Sequence, residues 1–179
     1  MLNSTDTGII IVDIQGKLAD LVHDQQAVRH RCECLIQAAR IFGLPIVWLE
    51  QNPAGLGDTV SDIRQHLDGF SPISKTSFNA CEELEFVEAV NQANVSSWLL
   101  CGIEAHICVY QTAAGLAKLG YHVECLADCV ASREDSNRLL ALEKMRLHGV
   151  SISSLEMSLY ELLEDCQTPA FKAILNLIR

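Results

Sequence analysis

Cys108 lies in the stretch Cys101-Gly-Ile-Glu-Ala-His-Ile-Cys-Val-Tyr110, where an apolar run gives way to helical spacing. A thiol in a first helical turn is a potential nucleophile. Unpaired N–H groups and the helix dipole favour thiolate over thiol there, which predicts a Cys108 pKa modestly below the ordinary thiol value. Cys108 should then alkylate faster than the other cysteines near neutral pH. The opposing expectation is a small buried hydrophobe, the commonest fate of cysteine. Two other segments bear on the choice. Gly8-Ile-Ile-Ile-Val-Asp-Ile-Gln15 is an uninterrupted apolar run that reads as a central parallel strand with Asp13 at its carboxyl end. Ser71-Pro-Ile-Ser-Lys-Thr-Ser-Phe-Asn79 is a short extended piece with Lys75 just ahead of a helix. Ligands of open α/β sheets bind outside the carboxyl ends of the strands, so acid, amine and thiol can converge. The carboxylate would take the thiol proton, while the ammonium holds the carboxylate and favours the thiolate. Taken singly, Asp13 suits a cap or turn and Lys75 a solvated surface charge.

The elements that must position these residues alternate between apolar strands and helical stretches, the pattern of a doubly wound α/β domain. Trp98-Leu-Leu-Cys101 reads as a buried strand broken at Gly102. Val109, Ala113, Leu116 and Ala117 then recur at helical spacing until Gly120. A helix is expected from about residue 26 to 42, closed by Gly43, then a strand over 45–50 and a helix over 82–92. A strand over 121–126 leads to Asp128 and Ser132, with a helix from 136 to 147 and a closing strand over 149–153. Helices over 155–163 and 169–178 end the chain. The last carries Phe171, Ile174, Leu175 and Ile178 on one apolar face, which packs on its own domain or meets another subunit. The loop from Gln51 to Gly57 combines turn formers with Leu56 beside the expected crevice, as a plain surface loop or a lid. No linker or repeat interrupts the pattern, so residues 1–179 read as one domain.

Ile11-Val-Asp-Ile-Gln15, Lys75-Thr-Ser-Phe78 and Gly102-Ile-Glu-Ala-His-Ile-Cys-Val109 resemble, in order and spacing, three motifs of the isochorismatase-like cysteine hydrolases. Leu49-Glu-Gln-Asn-Pro-Ala-Gly-Leu-Gly57 and Asp128-Cys-Val-Ala-Ser-Arg133 resemble the branch that includes isochorismatase domain-containing protein 2 and the YcaC-type hydrolases. The resemblance spans nearly the whole chain. It implies a three-layer, Rossmann-like fold with a six-stranded parallel sheet, a catalytic triad of Asp13, Lys75 and Cys108, and a homo-oligomer. It further implies a cis peptide at Ile103-Glu104, with the backbone N–H groups of Glu104 and Cys108 as an oxyanion hole. Gln15, Gln51 and Phe78 flank the motifs and are candidate substrate-binding residues, with ordinary loop packing as the competing reading. Nicotinamidases of this family carry an Asp-x-His motif and a further His that bind metal, whereas this chain has Trp48-Leu-Glu-Gln-Asn-Pro53 in that region. No metal or other cofactor is therefore expected.

A cysteine nucleophile directs the chemistry toward acyl transfer on an amide, carbamoyl or related C–N bond of a small molecule, through a thioester. The alternatives are vinyl-ether hydrolysis with Cys108 incidental, or a non-catalytic, redox-responsive binding protein. His106 competes as a base, but Asp13 is preferred. The chain has 179 residues, 49% of them hydrophobic, enough for a sizeable core. A formal charge of −10 disfavours nucleic acid and anionic lipid as partners. The early apolar run is too short for a signal peptide or a span, so a cytoplasmic location is expected. The eight cysteines are then free thiols, and Cys32 and Cys34, two apart on a helix, face different ways. Six isolated histidines and the lack of a CxxC motif argue against structural zinc.

Overall fold

Six parallel strands form one sheet in the computed structural model, which describes residues 1–179. They are β1 (Thr7–Val12), β2 (Ile46–Gln51), β3 (Ile73–Lys75), β4 (Ser97–Ile103), β5 (His122–Ala131) and β6 (Ser151–Ser153). Their order across the sheet is β3-β2-β1-β4-β5-β6. Every residue of β1 is buried because the strand is covered on both faces, which is why its sequence is a continuous apolar run. Its side chains divide with period two. Ile9 and Ile11 enter one core and Ile10 and Val12 the other.

Nine helices supply the outer layers. On the Ile9 side, α1 (Leu18–Leu21), α2 (Gln25–Phe42), α8 (Leu155–Leu163) and α9 (Phe171–Leu177) close the first core, with Ile63 of α4 (Ser61–Arg64). On the Ile10 side, α5 (Leu84–Gln92), α6 (Tyr110–Lys118) and α7 (Asp135–Leu147) contribute Phe86, Leu116 and Met145. The remaining short helix, α3 (Pro53–Leu56), lies in the loop after β2. Each fully buried Leu, Ile or Phe contributes about 1.5–3 kcal/mol, so the two cores are the main stabilising term. No helix is long and apolar enough to cross a membrane.

The structure departs from the sequence pattern in instructive places. β5 does not end at Leu126 but runs to Ala131, because its register against β4 slips: Leu100 pairs with Cys125 and Gly102 with Val130. The excursion carries Asp128, whose Oδ1 accepts the Leu155 N–H at 2.9 Å at the start of α8. The helix expected at residue 82 begins at Leu84, after a 3₁₀ turn over Ala80–Glu82, and β6 is confined to three residues. The short helices α1, α3 and α4 have too few residues to leave a periodic signal. The last helix packs on its own chain: Ile174 is fully buried, and Cys34 Sγ lies 3.1 Å from the Leu177 carbonyl. Phe171 and Ile178 pack on the same core, whereas Leu175 does not join it.

Candidate active site

The order β3-β2-β1-β4-β5-β6 places a switch point between β1 and β4, where successive connections leave in opposite directions and a crevice opens at the carboxyl ends. Asp13 follows β1 directly. It turns there with φ +51°, and its N–H reaches the Leu49 carbonyl of β2 at 3.2 Å. On the other side of the switch point, Gly102 of β4 has φ +125°. A Cβ there would stand 2.0 Å from the Val12 carbonyl oxygen, so only glycine lets the two strand ends come this close. The chain then passes through the cis peptide Ile103-Glu104 into a π-helical turn, Ala105–Val109, that carries Cys108 and leads into α6. π-turns of this kind recur at functional sites.

Lys75 ends β3, two strands from Asp13, and its long side chain crosses the end of β2. The ammonium donates to Asp13 Oδ2 at 2.7 Å, to Gln51 Oε1 at 2.6 Å and to the Ser77 carbonyl at 3.3 Å. All three N–H bonds are thereby used. The Lys75 and Asp13 side chains are 0% and 2% exposed. Cys108 Sγ lies 3.9 Å from the same Gln51 Oε1 and is itself buried. Asp13 Oδ1 is buried with no hydrogen-bond partner. An acceptor left open in this way beside a thiol is suited to receiving a proton.

Burial dominates the titration of the site. It raises the Asp13 carboxyl above its ordinary range, opposed by the charge and hydrogen bond of Lys75, while the charge of Glu50 adds a smaller upward push. Burial also pushes the Cys108 thiol up to about 12, with the Asp13 charge adding to the rise and Lys75 opposing it. The depressed Cys108 pKa expected from the sequence is thus reversed: loss of hydration outweighs the helix terminus and the ammonium. Near neutral pH the Cys108 side chain is therefore a thiol. A thiol held in this way attacks a carbonyl only with a base at hand to take its proton.

Gln51 is the hub of the cluster. Its Nε2 donates to the Thr76 carbonyl at 2.7 Å, leaving Oε1 turned toward Lys75 and Cys108. Gln15 is fully buried, and its amide is spent within the protein: Oε1 accepts the Gln51 N–H at 2.6 Å, and Nε2 donates to the Gly57 carbonyl at 2.7 Å and to the Gln51 carbonyl at 3.2 Å. Phe78 is 54% exposed, three residues beyond Lys75. The Glu104 backbone N–H has no acceptor in the protein, while its carbonyl accepts the Ile107 and Val109 N–H groups. The Glu104 carboxylate is held by Arg133, which donates from Nε at 3.0 Å and from its backbone N–H at 3.2 Å. His106 Nδ1 is engaged by Ser132 Oγ at 2.9 Å. Glu50 and Arg133 lie in stretches that carry the family resemblance without being singled out as site residues, and Thr59 goes unmarked, although a carboxylate inside the apolar β2 run is a visible irregularity. No group of three or more His, Cys, Asp or Glu side chains is arranged to hold a metal ion.

Residues 7–157 match the isochorismatase domain family. Isochorismatase domain-containing protein 2 of Danio rerio is 33% identical over 177 residues, covering 99% of this chain and 89% of the relative. The solved structure of MAR1 ribonuclease from Caenorhabditis elegans superposes with a TM-score of 0.93 at 32% identity, over 99% of this chain and 91% of that one. The Escherichia coli YcaC structure, described as an octameric hydrolase of unknown specificity, gives a TM-score of 0.92 at 23% identity, over 98% and 88% of the two chains.

Proposed function

Since this chain belongs to the isochorismatase domain family, we propose that it is a cysteine hydrolase that cleaves an amide, carbamoyl or related C–N bond of a small molecule, with Cys108 as nucleophile, Asp13 as base and Lys75 as electrostatic partner. The observation that carries the reading is the unpartnered Asp13 Oδ1, in a carboxylate fixed by Lys75 at 2.7 Å and buried beside the Cys108 thiol. Asp13 takes the thiol proton as sulfur attacks the substrate carbonyl carbon. The carbonyl π pair moves onto oxygen, where the N–H groups of Glu104 and Cys108 receive it. Collapse breaks the C–N bond. The leaving nitrogen takes the proton from Asp13, leaving a thioester on Cys108. Asp13 then deprotonates water for attack on the thioester, and returns that proton to the departing sulfur as the acid product forms. The elevated thiol pKa is compatible with this cycle, because the proton is moved during attack and no standing thiolate is required.

The same reading treats residues 1–179 as one domain with no cofactor, acting in the cytoplasm as a homo-oligomer. The octameric description of YcaC supports the last point. Gln51 and Phe78 border the substrate in this reading, and Gln15 serves by fixing Gln51. A polyanionic substrate is disfavoured by the chain's formal charge of −10. The test is a panel of amides, ureides and carbamoyl compounds, with a vinyl ether included, assayed against wild type and Cys108→Ala. Turnover of a C–N substrate by wild type that is lost in Cys108→Ala is the expected result. Turnover of the vinyl ether alone, retained in Cys108→Ala, would overturn it.

A further inference from the structure

We infer that the loop after β2 is a fixed wall of the active site, and that Glu50 is the positioning residue that latches it and so limits the size of what reaches Cys108. The inference rests on the Cys108 nucleophile reading for its chemical consequence, but its structural basis is independent. Glu50 is only 4% exposed at the end of β2. Its Oε1 accepts both the Thr59 N–H and the Thr59 hydroxyl, each at 2.7 Å. The Thr59 hydroxyl in turn accepts from Trp48 Nε1 at 2.8 Å. A buried carboxylate accepting charge-assisted bonds from one residue is a strong anchor.

The anchored segment is tied on its other side to the chain that carries Asp13. Thr59 forms an antiparallel bridge with Gln15, the Gly16 N–H reaches the Asp58 carbonyl at 3.1 Å, and the Val60 N–H reaches the Ile14 carbonyl at 3.0 Å. Gln15 Nε2 adds the bond to the Gly57 carbonyl. Gly16 permits the close approach: a Cβ there would lie 2.0 Å from the Leu56 carbonyl oxygen. At its start the loop is held by the Asn52 N–H on the Lys75 carbonyl at 2.8 Å. Residues 52–60 are therefore fastened at both ends and in the middle. A hinged lid needs a tip free of such ties and hinge residues able to absorb large backbone changes, and here the bonds at Gly57, Asp58 and Thr59 hold the segment between its ends. Because Gln15 fixes Gln51 as well as Gly57, the wall and the contact of Gln51 with Lys75 and Cys108 share one joint.

The experiment compares alkylation of Cys108 by iodoacetamide and by the bulkier iodoacetanilide, mapped by mass spectrometry, with amide hydrogen exchange at Gly16 and Gln51. In wild type the small reagent is preferred. Glu50→Leu removes the acceptor for Thr59 and should raise the iodoacetanilide-to-iodoacetamide ratio on the order of fivefold, with exchange at Gly16 and Gln51 about tenfold faster through local opening. Glu50→Gln keeps an acceptor oxygen for Thr59 and should restore both readouts. Because glutamine restores shape as well as the acceptor, Thr59→Val, which keeps the side-chain volume, is the variant that separates loss of these bonds from loss of packing. If Glu50→Leu does not fold, Thr59→Val, which removes only the hydroxyl bonds, is expected to move both readouts in the same direction. An unchanged reagent ratio together with unchanged exchange in a folded variant would overturn the latch. Failure of both reagents at Cys108 in wild type at about pH 10, where its labelling should be rising, would instead count against the nucleophile, and exchange at Gly16 and Gln51 would still decide the latch.

Discussion

Lys75 Nζ stands 2.7 Å from Asp13 Oδ2, with both side chains almost wholly removed from water. A pair in this position costs desolvation, which its mutual attraction and the bonds to Gln51 and Ser77 offset only together. It is therefore a poor stabiliser of the fold and a good means of presenting one carboxylate oxygen to a thiol.

The first prediction is a double-mutant cycle on this pair. Lys75→Met should abolish turnover and lower stability by about 3–5 kcal/mol, because the Asp13 charge is left buried without a partner. Adding Asp13→Asn should recover most of that stability while activity stays absent. Denaturant titrations of the two single variants and the double variant provide the check, and additive losses would show that the two groups are not coupled in the fold.

The second prediction concerns alkaline pH. The thiols of Cys108 and Cys125 are each pushed up to about 12 by burial, so the folded protein retains protons that the unfolded chain releases near the ordinary thiol value of about 9. Stability from these groups is fully present below pH 9 and is lost as pH rises toward 12. Cys108→Ala should flatten the fall in denaturant midpoint above pH 9 relative to wild type. An identical slope would mean that the Cys108 thiol is not held protonated by the fold.

Thiol labelling gives the third. Cys166 is exposed, whereas Cys32, Cys101, Cys125 and Cys129 are fully buried. Iodoacetamide at neutral pH should therefore modify Cys166 first, and the four core thiols only on unfolding. Labelling of Cys108 should still be rising at about pH 10, as a raised thiol pKa requires. A plateau below pH 8 at Cys108 would contradict the burial-dominated titration.

The fourth tests the approach of β1 and β4. Gly102→Ala combines a positive φ with a Cβ aimed at the Val12 carbonyl, and should cost about 4 kcal/mol from strain and overpacking together. Gly43→Ala has a positive φ but open space around the new methyl and should cost about 1 kcal/mol. Comparable losses at the two positions would argue against the close strand contact.

The continuous apolar run of residues 8–12 and the alternation of strands with helices were enough to specify a parallel sheet covered on both faces, because burial on both sides leaves a local compositional trace. Asp13 was legible as a strand-end residue for the same reason, Lys75 from a short extended piece ahead of a helix and Cys108 from the onset of helical spacing, and their motifs carried the family resemblance. Three things were decided by tertiary structure alone. The Cys108 titration reversed direction because desolvation depends on everything packed around the thiol, not on its place in a helix. The slip of β5 past β4 arose from pairing between distant segments, which local periodicity does not record. The joint formed by Gln15, Gln51, Glu50 and Thr59 depends on side chains up to 44 positions apart meeting at one end of the sheet, an outcome set by strand order and loop path.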